Sequence, residues 1–148
     1  MHKKVLFNRI AWIEKNLEGI RSLPLESYDV FMKDKRNIRV AEFYLRKGLE
    51  AVLDLGRYIL INGFGIQVSK YEEIAEKLDE NGVLSKKDVI LLKIIAYKCY
   101  QLVYYRSEIT EKDIYKMCKE ELEKLSRLKD AYSYWIKANF EKIAATLH

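Results

Sequence analysis

The stretch Val89–Thr110, VILLKIIAYKCYQLVYYRSEIT, decides the fold. Ile90, Leu91, Leu92, Ile94, Ile95, Ala96, Leu102 and Val103 point in nearly every direction around a helical wheel. A helix that is apolar on almost all sides must be covered on several of them. The stretch is therefore either the central helix of the fold or a helix that two chains share. Its end crowds Tyr97, Lys98, Cys99, Tyr100, Tyr104, Tyr105 and Arg106 together, and a functional site is expected there.

The totals agree with a helical chain. With 148 residues, one domain spanning 1–148 is expected. Hydrophobic residues make up 49% and charged residues 33%, which excludes disorder as the default. One proline and six glycines leave few breaks between long regular segments. The net charge of +5 permits a nucleic-acid partner, and it equally fits a solvated basic surface. The two cysteines, Cys99 and Cys118, have no metal-ligand spacing and fit buried free thiols of a reduced, cytoplasmic chain. No cofactor or metal site is expected. The start of the chain does not read as a signal peptide, and Lys93 cuts the longest apolar run short of a membrane span. The only histidines are His2 and His148, which argues against a His-centred metal site or a His acid–base catalyst in the core.

Outward from the central stretch, helical periodicity recurs. Leu6, Ile10, Ile13, Leu17 and Ile20 define a first helix over about residues 3–22, with Trp12 off the stripe. Pro24 breaks it, and residues 26–33 allow one short turn. Asp34 is placed to cap a second helix reaching about Asn62, with Ile38, Ala41, Leu45, Leu49, Val52, Gly56 and Ile59 as its stripe. Gly48 and Gly56 imply close crossing by another helix. Glu50 and Asp54 share a face, either as acids lining a groove or as a solvated pair with Arg46 and Arg57. Asn62-Gly63-Phe64-Gly65 reads as a glycine cap, and Ser69-Lys70-Tyr71-Glu72 as a capping box opening a short helix. Ser85 caps the helix of the opening stretch. Thr110 to Asp113 resembles a cap for a last long helix carrying Ile114, Cys118, Leu125, Leu128, Tyr132, Trp135 and Ile143. The expected fold is all-α: an antiparallel bundle of four long helices plus one or two short ones. Its second and last helices approach about 45 Å in length.

Leu49–Ser85 and the stretch LLKIIAYKCYQLVYYRSEIT resemble the HepT-like members of the HEPN superfamily, toxins of toxin–antitoxin modules. The first has the family's "EA…D" helix, glycine turn and short helix. The second resembles the helix carrying the signature Arg-Asn-x-x-Val-His-x-Tyr. The resemblance implies a HEPN-like helical bundle, a homodimer, and a metal-independent RNA endonuclease with its arginine and histidine in a cleft between subunits. It also implies a nucleotidyltransferase-type antitoxin as partner, which in some members adenylates the signature tyrosine. Histidine suits proton transfer in 2′-hydroxyl attack, and arginine suits the developing phosphate charge.

The signature is degenerate here. In the gapless register Cys99 stands for the arginine, Tyr100 for the asparagine, Tyr104 for the histidine and Arg106 for the tyrosine. A register shifted by one substitutes Lys98, Val103 and Tyr105. Neither supplies histidine, and tyrosine, with an ordinary pKa near ~10, is a poor base at pH 7. The resemblance therefore implies Cys99 and Tyr104 at degenerate catalytic positions. Lys98, Tyr97, Tyr100, Tyr105, Arg106, Glu50 and Asp54 are candidates for binding. Three functions follow: a ribonuclease with weakened or lost activity, a catalytically silent dimeric module that binds RNA or nucleotide, or a structural partner of a nucleotidyltransferase. For the tyrosines, packing in the core or at an interface is the competing reading.

Overall fold

Two long parallel helices carry the rest of the chain. In the computed structural model, which describes residues 2–139 and 141, the elements run α1 (Lys3–Arg21), α2 (Tyr28–Met32), α3 (Arg36–Phe64), α4 (Tyr71–Glu80), α5 (Lys86–Tyr104), a 3-10 turn (Arg106–Glu108) and α6 (Glu111–Ala138). No strand occurs among the described residues. This is the expected all-α bundle of four long helices with short ones between them.

Cross-contacts fix the directions. Cys118 lies against the Ala41 carbonyl, Tyr132 donates to the Val52 carbonyl at 3.0 Å, and Trp135 meets Phe64, so α3 and α6 run parallel. The His2 backbone N–H reaches Tyr58, while Gly19 faces Tyr44, so α1 is antiparallel to α3. Asp88 pairs with Arg127 and Glu42 pairs with Arg106, so α5 is antiparallel to both. The parallel pair thus sits between α1 on one flank and α5 on the other, with α4 leaning on α3 and α5. The central helix is α3, not α5.

That arrangement corrects one of the two expectations for the Val89–Thr110 stretch. Val89, Leu92, Ile95, Ala96, Cys99 and Leu102 are buried, as one face of a flanking helix requires. Ile90 and Tyr97 are each 60% exposed. The helix is apolar all round, but its own chain covers only one side.

Local chemistry sets the element ends. Ser85 accepts from the Asp88 N–H at 3.2 Å, and Thr110 and Asp113 form a reciprocal box at 3.1 and 2.9 Å. Ser27 caps α2 through the Val30 N–H. Asp34 bonds the Arg36 N–H at 3.0 Å, but the N-cap of α3 is Lys35, which carries no side-chain cap, so Asp34 stands one residue outside the expected position. Gly65 takes φ 66° and ends α3, which runs past Asn62 to Phe64. The capping box expected at Ser69 does not form: α4 begins one residue later, with Lys70 extended at its N-cap. The shift accompanies Tyr71, whose hydroxyl is held by Asp54 of α3 at 3.1 Å, so a tertiary bond overrides the local one.

Gly56 meets the expected close crossing. A Cβ there would stand 2.7 Å from the Tyr132 hydroxyl and 2.9 Å from Ile74 Cγ2. At Gly48 the nearest atom would be 3.5 Å away, an ordinary contact. Ile143, expected on the last helical stripe, and His148 lie outside the described residues.

Candidate functional site

The end of α5 divides the candidate residues between two sides. Cys99, Tyr100, Val103 and Tyr104 line one cavity with Arg57 of α3 and with Lys70 and Tyr71 at the start of α4; it encloses about 560 Å³. Lys98 and Tyr105 line a second hollow of about 310 Å³, against Glu108, Asp113 and Lys116. The two registers of the signature therefore differ in kind. The gapless register places both catalytic positions on the α3–α4–α5 cavity, whereas the shifted one puts Lys98 on the α5–α6 side.

The Cys99 thiol is 1% exposed. Burial pushes it up to about 12, and the nearby Glu50 carboxylate adds to this against Arg46. It is a neutral thiol at pH 7 and can act neither as nucleophile nor as phosphate grip. Tyr104, by contrast, is 70% exposed, and its ring meets Tyr100 at 4.8 Å. Tyr100 also touches Tyr105 at 5.7 Å, and its hydroxyl is held above the usual phenol range chiefly by a hydrogen bond with Tyr105. Tyr71 is raised by burial and by Asp54, to which it donates.

The other sequence candidates are engaged. Arg106 grips the Glu42 carboxylate through Nε and Nη2 and donates from Nη1 to the Ile109 carbonyl at 2.8 Å. It holds the α5–α6 turn to α3. Glu50 accepts from Arg46 at 3.0 Å, and Asp54 lies 3.9 Å from Arg57, the pairing that a solvated charged face predicts. Both acids nonetheless stand close enough to Cys99 to raise it. Tyr97 lies apart, its hydroxyl accepting from Gln101 at 3.3 Å.

Arg57 and Tyr71 are the residues that sequence reading did not place in the site. Arg57 stacks over Tyr71 at 4.9 Å. They come from α3 and α4, and only packing brings them beside the tyrosines of α5. A larger groove of about 770 Å³ lies at the opposite end of α5, near Leu84, Tyr134 and Trp135. Its one acid, Asp88, is already bound by Arg127, so it offers no comparable chemistry.

The fold is shared with solved HEPN toxin structures. The profile of the HepT-like ribonuclease family matches residues 13–131, and the chain belongs to that family. Solved structures share the fold. A tri-AMPylated HEPN toxin from Shewanella oneidensis in complex with an MNT antitoxin superposes with a TM-score of 0.76 at 16% identity, covering 90% of this chain and 99% of that one. A toxin–antitoxin structure with AMP-PNP gives a TM-score of 0.74 at 16% identity over 89% and 99% of the two chains. YutE, a cytosolic protein of unknown function from Bacillus subtilis, gives 0.73 at 16% identity over 93% and 92%. No match was found among curated protein sequences. No helix among the described residues is long and apolar enough to cross a membrane.

Proposed function

We propose that this chain is the HepT-like half of a toxin–antitoxin pair and has lost effective RNA cleavage, while its aromatic cavity still binds RNA. One observation carries the reading. In the gapless register the position of the family's arginine is a buried neutral thiol, and neither register puts a histidine in the signature, the sequence having only His2 and His148. Without a near-neutral proton acceptor, the 2′-hydroxyl step has no base. The exposed rings of Tyr100 and Tyr104 remain, and such rings stack bases without sequence preference.

Two features support the assembly in this reading. Ile90, Ile94, Tyr97 and Gln101 recur at four-, three- and four-residue steps along the outer face of α5, the spacing of a helix–helix seam. A second copy covering that seam would account for its apolar character and form a homodimer. The partner outside the dimer is a nucleotidyltransferase-type antitoxin, as in the Shewanella complex. Tyr104, 70% exposed, is open to adenylate transfer.

RNA incubation tests the catalytic part. The purified chain leaves structured and unstructured RNA intact, whereas Cys99→Arg with Tyr104→His, if folded, gains cleavage. Cleavage by the wild-type chain that disappears in Tyr104→Phe overturns the reading.

A further inference from the structure

We infer that Arg57, on α3 rather than on the signature helix, is the phosphate grip of the α3–α4–α5 cavity. The cavity would hold one nucleotide of a single strand, with its phosphate on Arg57 and its base against Tyr100 or Tyr104. This rests on the RNA-binding reading above.

Four observations carry the assignment. First, the other cation offered by the gapless register is spent: all three nitrogens of Arg106 that bond do so to Glu42 or to the Ile109 carbonyl. Second, Arg57 is held but not used up. Its guanidinium lies over the Tyr71 ring at 4.9 Å, which fixes its plane, yet its nearest acid oxygen on Asp54 is 3.9 Å away, beyond hydrogen-bond range. Its Nε is buried without an acceptor, while the side chain as a whole keeps 33% exposure. Third, the Asp54 oxygen nearest Arg57 is already bonded elsewhere, accepting the Tyr71 hydroxyl at 3.1 Å. Fourth, the same cavity holds Tyr100, Tyr104 and Lys70, and about 560 Å³ suits a ligand of nucleotide size. Arg presents a planar fork that matches phosphate geometry.

The acids limit what the cavity can take. Asp54 and Glu72 offset the charges of Arg57 and Lys70, so no strong field extends outward. The grip acts at short range on one phosphate, not along a run of them.

The test is a titration of the whole chain with a fluorescein-labelled ten-nucleotide single-stranded RNA, followed by anisotropy over a series of salt concentrations. Arg57→Met keeps the stem on Tyr71 and removes the charge. It should weaken binding about tenfold and make the plot of log affinity against log salt shallower by about 0.7, the loss of one phosphate contact. Arg57→Lys should keep the slope and weaken binding only a few-fold. Lys86→Ala, at the far end of α5, should change neither. Thermal melts show whether each variant is folded, and if Arg57→Met is not, Arg57→Lys carries the test. Wild-type binding with unchanged affinity and slope in the folded Arg57 variants overturns this assignment alone. Absence of any salt-dependent binding by the wild-type chain overturns both it and the RNA-binding reading.

Discussion

Arg106 and Glu42 show how a residue that looks available becomes structural. They are 64 positions apart, and Arg106 bridges Glu42 to the Ile109 carbonyl, pinning the turn between α5 and α6. The guanidinium holds the Glu42 carboxyl below its ordinary value of 4.5, against the opposing effect of burial. A depressed carboxylate contributes stability above its unfolded value and loses it as the pH falls through the folded one. Both side chains are about one third exposed, so solvent screens the pair and its worth is about 1 kcal/mol. Glu42→Gln should therefore lower the melting temperature by about 3 °C at pH 7. The difference should shrink and vanish as the pH is taken from 4.5 downward, because the wild-type carboxyl protonates there. A gap that persists in acid would show that the carboxylate charge is not what holds the turn. In sequence Arg106 stands among tyrosines and reads as a ligand for phosphate; its actual partner is out of local reach.

At the scale of elements, the tightest constraint is the crossing at Gly56. Alanine there gains about 1 kcal/mol of helix propensity. It also drives a methyl to within 2.7 Å of the Tyr132 hydroxyl, which is buried and bonded to the Val52 carbonyl. Overpacking and a disturbed buried hydrogen bond outweigh the gain, so Gly56→Ala should lose about 2 kcal/mol. Urea denaturation checks this as a lowered midpoint with an unchanged slope. Gly56 was legible in the sequence because glycine is costly inside a helical stripe. So were the long helices, from their three- and four-residue apolar steps, and the caps at Ser85 and Thr110. The Ser69 box failed because Tyr71 bonds to α3, which no local pattern reveals. The candidate site was half legible for the same reason. The tyrosine cluster lies in one continuous stretch, whereas Arg57 and Tyr71 join it only through the packing of α3, α4 and α5.

For the whole molecule, the question is what covers the outer side of α5. Its inner face fills the gap beside the α3–α6 pair, and the outer face presents Ile90 and Tyr97 to solvent. A contiguous apolar stripe of this kind on a helix marks an interaction surface. The proposed homodimer predicts that Ile90→Glu with Tyr97→Glu yields a folded monomer in sedimentation or light scattering, where the wild-type chain sediments as a dimer. Wild-type chain that sediments as a monomer would overturn the dimer. In that assembly the two cavities at the ends of α5 would flank the seam, near the surface where a partner enzyme would approach.

The burial of Cys99 beneath the tyrosines, and of Cys118 between α3 and α6, has a chemical consequence beyond packing. Both thiols are pushed up to about 12 by the loss of water around them. Neither forms thiolate at neutral pH, and thiolate is the species that exchanges with disulfides and reacts with peroxide. Buried as neutral thiols, both are poor targets for glutathione and alkylating reagents. The redox state of the surroundings therefore reaches these two thiols mainly through the fraction of molecules in which the bundle has opened.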